Sequence, residues 1–311
     1  MKILATGDWH LRYKSPKYRT DDYFESQVKK VGQILKIAED NNCDFILQPG
    51  DFFDSADTPD FVIQYYINLL KEYEIPVYSV FGQHDLRYHS SKIENTPLAI
   101  MKASEVVDIV DQDFTDRVGV PMFLYTCHWG QDIPDIVRTK NGDSAYAIHI
   151  LLIHKMIIEE KLWEGQTDYI KAKSLLKRYD FDIIVSGDNH NSFFVQHENK
   201  ALINCGSLMR SSISQIDHKP CVYLVNIERQ DREIVYVFDK IFLDIEPSEN
   251  VFDIKQHDKE EKRSKELDLF VEGLNSSDEK SIKVNFVDRL IQYSNKQEQG
   301  VRDVIQEAME R

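Results

Sequence analysis

The sequence predicts an α/β fold, and three observations point to it. Short apolar runs rich in β-branched and aromatic residues recur, the clearest being Phe45-Ile46-Leu47, followed at once by Gln48-Pro49-Gly50-Asp51. The first three such runs are separated by segments of helical periodicity and short links, the alternation that builds βαβ units with right-handed crossovers. At 311 residues and 42% hydrophobic content, the chain has length for one large domain plus a small appendage, and apolar matter for a buried core.

In chain order, Ile3-Leu4-Ala5 is the first strand, and a basic, aromatic loop follows from Leu11 to Arg19. Thr20 reads as an N-cap with Asp21 and Asp22 in the first turn of a helix that carries Phe24, Val28, Val31, Ile34 or Leu35, and Ala38 at helical spacing and stops at Asn41-Asn42. After the Phe45 strand, Thr58-Pro59 reads as N-cap and first residue of a helix running to about Tyr73, and Pro76 opens the strand Val77 to Val80. Pro97 to Ala103 is a helix, and short strands are expected around Val107 to Val110 and Met122 to Thr126. Residues 131 to 146 read as a polar loop or short helix with a turn at Asn141-Gly142-Asp143. The run Ile148 to His154 is a strand, Ile170 to Tyr179 a helix, and Ile183 to Ser186 a strand. The segments Ala201 to Asn204, Cys221 to Asn226 and Glu233 to Asp239 read as antiparallel strands closing the sheet. Composition shifts near Pro247, which divides the chain into a domain 1–247 and a small, mainly helical appendage 248–311. The appendage has a mixed-charge run from Asp258 to Glu266 and an apolar stripe at Leu267, Leu269, Phe270, Leu274, Val284, Val287, Leu290 and Ile291. It reads equally as a helix packed on the parent domain or as a partner-binding arm.

Four strands end in the same grammar, a small or turn residue followed by metal-type ligands: Gly7-Asp8-Trp9-His10, Gly50-Asp51, Gly82-Gln83-His84-Asp85 and Gly187-Asp188-Asn189-His190. A fifth strand closes on His154. Ligands at the carboxyl ends of successive strands fall on one edge of a sheet, where open α/β sheets bind ligands. A lone Gly-Asp is ordinarily a turn, and a lone histidine on an apolar strand is ordinarily a packed one. An ordered set of Asp, His and amide with no cysteine is instead a hard oxygen and imidazole set suited to Mn, Fe or Zn. A carboxylate such as Asp51 can bridge two ions, which together can polarise a phosphoryl group. His128, His149, Trp129 and Trp163 carry no such context and read as structural.

The net charge of −15 argues against a free-standing nucleic-acid binder held by bulk electrostatics, without excluding a nuclease, because bound divalent cations reverse the local sign. Cys43, Cys127, Cys205 and Cys221 contain no Cys-x-x-Cys pair and read as reduced, mostly buried thiols. No apolar run approaches the ~20 residues that span a bilayer, and Met1-Lys2-Ile3-Leu4 enters the first strand directly, so a cytoplasmic protein without membrane attachment is expected.

These motifs resemble the calcineurin-like metallophosphoesterases over residues 1 to about 210. Within that superfamily, Gly7-Asp8-Trp9-His10, Gly50-Asp51-Phe52-Phe53-Asp54 and Asn204-Cys205-Gly206-Ser207 look most like the SbcD-type nuclease subunits, DNA-end-processing enzymes that work with an SbcC-type coiled-coil ATPase. The resemblance implies a two-sheet sandwich flanked by helices. It also implies one divalent metal on Asp8, His10, Asp51 and His190, and a second on Asp51, Gln83, His154 and Asp188. His84 would act on the scissile phosphate or protonate the leaving oxygen, with Asp85 orienting it. Arg12, Lys14, Arg87, Tyr88 and His89 would lie near the mouth, with Arg12, Arg87 and Tyr88 as substrate contacts, although the loop Arg12 to Arg19 also reads as a solvated face. DNA and the ATPase are the implied partners, and a homodimer is compatible with the pattern.

Two residues depart from the family pattern, and both concern the second metal: Gln83 stands where the family has Asn, and Asp188 where it has the first His of the last motif. Both can ligate through oxygen, which makes that site favour Mn or Mg over Zn. Three functions are open at this point: a DNA nuclease subunit, a phosphoesterase acting on small nucleotides or phosphoproteins, and a metal-poor scaffold on the same fold. Fold alone does not decide among them.

Overall fold

A computed structural model describes residues 1–89, 93–110, 112–117, 120–136, 147–230 and 233–275. Outside them lie the expected turn at Asn141-Gly142-Asp143, the apolar positions Val284, Val287, Leu290 and Ile291, and the side chains of His89, Leu269, Phe270 and Leu274. The chain divides into two units, Met1–Phe252 and Asp253–Arg311.

The first unit runs β1 (Lys2–Ala5), α1 (Tyr23–Asp40), β2 (Phe45–Gln48), α2 (Asp60–Lys71), β3 (Val77–Ser79), α3 (Pro97–Ala103), β4 (Gln112–Arg117), β5 (Val120–Cys127) and β6 (Ile148–His154). It continues with β7 (Ile157–Ile158), β8 (Ile170–Lys171), α4 (Ala172–Arg178), β9 (Ile183–Gly187), β10 (Phe193–His197), β11 (Lys200–Asn204), β12 (Cys221–Gln230), β13 (Glu233–Phe242) and α5 (Ser248–Val251). The strands form two main sheets, one in the order β13-β12-β1-β2-β3 and the other β10-β11-β9-β6-β5-β4. In the first sheet β1, β2 and β3 are parallel, and in the second β5, β6, β9 and β11 are parallel. The expected ligand edge is therefore not one sheet edge but the place where the carboxyl ends of two parallel cores meet.

Strand period explains the layering. Ile3, Ala5, Phe45 and Leu47 point inward and meet Ile148, Ile150, Leu152, Ile183, Val185 and Ile203 of the facing sheet. Leu4 and Ile46 point outward against Val31, Ile34, Leu35, Val62 and Tyr66 of α1 and α2. Leu151, Ile153 and Ile184 point outward on the other side and pack with Leu175 and Leu176 of α4. Strands buried on both faces read as continuous apolar runs, which is why their register was invisible in the sequence.

Several boundaries differ from expectation. The N-cap of α1 is Asp22, whose carboxylate accepts from the Glu25 N–H, while Thr20 bonds the Asn250 carbonyl. Pro59 itself caps α2, and Thr58 turns back to Ser55. Val107–Val110 makes only a bridge from Asp108 to Tyr78. Residues 170–171 pair with 157–158 as a short strand, so α4 starts at Ala172. β11 lies parallel to β9 and antiparallel only to β10. Trp163 is 57% exposed and is no core residue, whereas Trp129 packs against the apolar core. All four cysteines are free thiols.

The division into units falls after Phe252 rather than at Pro247. Val251 and Phe252 are buried, and Arg210 Nη1 donates to Ser248 Oγ at 2.8 Å. The second unit contains α6 (Ile254–Asn275), polar around its described circumference, with Leu267 48% exposed. No described helix is long and apolar enough to cross a membrane.

Candidate metal centre

Two loops lie side by side beneath the site. The N–H groups of Trp9 and His10 both donate to the Asp51 carbonyl, Leu11 N–H donates to Phe52, and Asp54 N–H returns to Leu11. Trp9 is fully buried with its ring 4.7 Å from Phe52, and buried Gln27 of α1 ties the first loop down by donating to the His10 carbonyl and accepting from Arg12 N–H. His10, Asp51 and Asp188 adopt φ values of 46°, 48° and 76°. Left-handed backbone is uncommon away from glycine, though Asp and His visit it more than most, and such residues concentrate where the surrounding structure holds a side chain in place for function. The glycines of the motifs serve close approach: a Cβ on Gly82 would overlap Asp51 Oδ1, and one on Gly187 would overlap Asp8 Oδ1.

The side chains converge. His10 Nε2 and His190 Nε2 face each other at 3.1 Å, and at most one of them can carry the proton between them. His190 Nε2 is 3.7 Å from Asp8 Oδ2, and His10 Nε2 is 3.6 Å from Asp51 Oδ2. On the other side of Asp51, His154 Nε2 lies 3.4 Å from Oδ2, while its Nδ1–H donates to the Pro49 carbonyl at 2.7 Å. That bond orients the ring with Nε2 directed inward. Gln83 Oε1 is 2.9 Å from His154 Nε2, and Gln83 Nε2 donates to Asp188 Oδ1 at 3.0 Å. The expected ligands thus fall into two adjoining groups, Asp8, His10, Asp51, His190 and Asp51, Gln83, His154, Asp188, with Asp51 common to both.

The donor set fits divalent cations. Asp8 Oδ1 and Asp51 Oδ2 are buried with no hydrogen-bond partner, as is His10 Nδ1. The other carboxylate oxygens are occupied by backbone: Asp8 Oδ2 accepts from Asp188 N–H at 2.9 Å, and Asp51 Oδ1 from His84 N–H at 2.8 Å. A buried carboxylate oxygen without a partner is costly unless a cation meets it. The groups Asp8–His10–His190 and His10–Asp51–His84 each hold donor atoms mutually within 4.8 Å.

The titration of these groups points the same way. Burial raises Asp8 well above the carboxylate range, and the neighbouring charges of Asp51 and Asp188 add to it against His154. Burial would raise Asp51 too, but the charge of His154 holds Asp51 well below the usual range. His154, despite a burial effect that lowers it, is pushed up to about 10 by Asp51. Burial depresses His10 to about 3 and lowers His190. One protonated histidine among buried carboxylates, beside two neutral imidazoles, is a set of groups whose charges divalent cations would balance.

His84 is exposed and stands edge-on to His10, with ring centroids 4.8 Å apart. Its Nδ1–H donates to the Asp54 carbonyl at 2.8 Å. Asp85 therefore does not orient the His84 ring as expected. Its fully buried carboxylate accepts from the N–H groups of Phe52, Phe53 and Gly82, fixing its own Gly82–Asp85 turn to the loop after Asp51, and burial and Asp51 push it up to about 7 against those bonds. Asp54, unassigned from the sequence, emerges beside three functional groups: besides its carbonyl on His84, Oδ2 pairs with Arg12 Nη1 at 2.9 Å and Oδ1 lies 3.8 Å from His10 Nδ1. The signal was the second acid of Gly50-Asp51-Phe52-Phe53-Asp54.

At the rim, Arg87 is held by Asp57 and the Ala56 carbonyl, and Tyr88, 93% exposed, borders the same depression as Asp54, Gln83 and His84. The loop from Tyr13 to Lys17 is largely exposed, as a solvated face would be, but Arg19 is not: it bonds Asp21 and the Arg210 carbonyl and lies over Tyr23 and Phe252.

Residues 1–192 match the family model of the calcineurin-like phosphoesterases. The chain is 23% identical over 273 residues to double-strand break repair protein MRE11 of Encephalitozoon cuniculi, covering 73% of this chain and 45% of that protein. It is 29% identical over 240 residues to DNA double-strand break repair protein Mre11 of Methanococcus maripaludis, covering 70% and 60%. It is 26% identical over 121 residues to exonuclease subunit 1 of Enterobacteria phage T4, covering 37% and 34%. The chain spans about half the length of the first two of these curated relatives.

Proposed function

The chain belongs to the calcineurin-like phosphoesterase family, and from that premise we propose that it is a two-metal phosphodiesterase cleaving DNA, the nuclease subunit of an SbcCD-like complex. The observation that carries this reading is the pair of partnerless buried carboxylate oxygens, Asp8 Oδ1 and Asp51 Oδ2, beside two imidazole nitrogens that face one another. Asp8, His10, Asp51 and His190 would hold one divalent ion, and Asp51, Gln83, His154 and Asp188 the other, with Mn or Mg suited to the oxygen-rich second set. When bound, such ions supply Lewis-acid polarisation of a phosphoryl oxygen and a nucleophile at neutral pH.

The chain's own residues do the rest. His84, with Nδ1–H committed to the Asp54 carbonyl, would use Nε2 to stabilise a phosphoryl oxygen or to protonate the leaving oxygen. Asp85 holds the Gly82–Asp85 turn, which carries Gln83 and His84, against the loop after Asp51. Arg12 and Arg87 offer guanidinium groups, and Tyr88 an exposed ring, to a nucleic-acid strand entering the site. The names of the relatives, two double-strand break repair proteins and an exonuclease subunit, support DNA as the substrate. The test sets metal-dependent release of nucleotides from linear DNA against hydrolysis of a generic aryl phosphate ester. Ester cleavage without DNA cleavage would favour an enzyme of small nucleotides or phosphoproteins, and neither activity would favour a scaffold.

Gln83→Asn with Asp188→His is expected to shift metal preference toward nitrogen-seeking ions such as Zn. Identical stoichiometry and preference in a metal titration of the parent and the double variant would show that neither side chain is a ligand.

The segment after Phe252 is proposed to serve assembly with a coiled-coil ATPase. Removing residues 253–311, which spares the Arg210–Ser248 contact and the buried Val251 and Phe252, is expected to leave aryl-ester cleavage near the parent level while abolishing co-purification with the ATPase. Loss of ester cleavage with ATPase binding retained would place the segment in the catalytic unit instead.

A further inference from the structure

We propose that Asp54 is a positioning residue that fixes the tautomer of His10, seats Arg12 at the rim and sets the ring of His84, so that metal capture and strand binding depend on one carboxylate. The proposal rests on the two-metal reading above. His10 Nδ1 is buried with no hydrogen-bond partner. If Nε2 is to offer its lone pair inward, Nδ1 must carry the proton, and a buried N–H needs an acceptor. Asp54 Oδ1, 3.8 Å away, is the carboxylate placed to take it by a small rotation.

The second oxygen, Oδ2, holds Arg12 Nη1 at 2.9 Å, and Arg12 Nε donates to the Lys14 carbonyl at 2.8 Å. With those two nitrogens committed, the guanidinium is locked in plane, and its remaining N–H groups are free for a phosphate oxygen of the strand beyond the scissile bond. The backbone carbonyl of Asp54 accepts from His84 Nδ1–H at 2.8 Å. The residue itself is placed by its own N–H, bonded to the Leu11 carbonyl at 3.1 Å, so it is carried by the same paired loops that place His10 and Asp51. An acid three residues past the shared ligand thus couples the metal site to the substrate rim.

The experiment compares the full-length parent with Asp54→Ala, Asp54→Asn, Arg12→Ala and the Arg12→Ala/Asp54→Asn double variant. Mn²⁺ binding is measured by calorimetry with the metal alone, and KM and kcat on a DNA oligonucleotide and on a small aryl diester. Asp54→Ala is expected to weaken Mn²⁺ binding by roughly 10–100-fold, the usual cost of losing a ligand's hydrogen-bond partner. Asp54→Asn, whose amide oxygen can still accept from His10, is expected to bind Mn²⁺ more tightly than the alanine variant, and it remains informative if that variant fails to fold. On DNA, Asp54→Asn and Arg12→Ala are each expected to raise KM about tenfold with the diester KM unmoved, and the double variant to be no worse than either. Parent-level Mn²⁺ binding by Asp54→Ala, or fully additive KM effects, would overturn the role of Asp54 while leaving the two-metal reading in place. A parent that takes up no Mn²⁺ would overturn both.

Discussion

Asp51→Asn is expected to abolish phosphodiester cleavage and to lower bound metal from two ions to fewer than one. Asp51 is the carboxylate that both ligand groups share: Oδ2 lies 3.6 Å from His10 Nε2 on one side and 3.4 Å from His154 Nε2 on the other, with no hydrogen-bond partner of its own. Oδ1 is already taken by the His84 N–H. An asparagine that keeps its oxygen on that N–H turns its NH₂ toward both histidines and toward the place where a cation would sit, so charge and acceptor vanish together. The fold should survive, because the Asp51 carbonyl, which receives the Trp9 and His10 N–H groups, is unchanged. Circular dichroism at parent level beside a metal titration with no high-affinity uptake is the expected outcome. Full uptake of two ions would remove Asp51 from the bridge.

His84→Ala should separate turnover from binding. The ring is exposed, and its Nδ1–H is bonded to a carbonyl rather than to a carboxylate. Its removal leaves Asp51, His10, His154 and His190 in place. Cleavage is expected to fall by roughly 10²–10⁴, the range for a lost proton-transfer or charge-stabilising group, with Mn²⁺ stoichiometry held at two. Loss of an ion in this variant would make His84 a ligand, which the proximity of His10, Asp51 and His84 donor atoms leaves geometrically open.

The strands and their terminal turns were legible because buried parallel strands are apolar on both faces and the glycines beside Asp8, Asp51 and Asp188 are demanded by close packing, so local composition reports them directly. That these strands form two sheets was legible only through the resemblance to the metallophosphoesterases, since continuous apolar runs carry no facing information, and the pairing of β11 with β9 is decided by residues far apart in the chain. Thr20 and Thr58 were sound capping residues by type, but Asp22 and Pro59 took the cap positions, because Thr20 bonds the distant Asn250 carbonyl and Thr58 turns back to the Ser55 carbonyl three residues before it. The site showed the same split. The types and order of the converging Asp, His and Gln side chains were readable, whereas the partner of a histidine's second nitrogen was not: Asp85, adjacent to His84 in sequence, turns inward to three N–H groups, and Asp54, thirty residues earlier, supplies the carbonyl instead.

The central claim is that one carboxylate joins two cation sites, and anomalous diffraction from crystals of the full chain grown with manganese tests it most directly. Two anomalous peaks are expected, one within bonding distance of Asp8, His10 and His190 and the other of Gln83, His154 and Asp188, with Asp51 bound to both. A single peak, or two peaks of which only one touches Asp51, would contradict it.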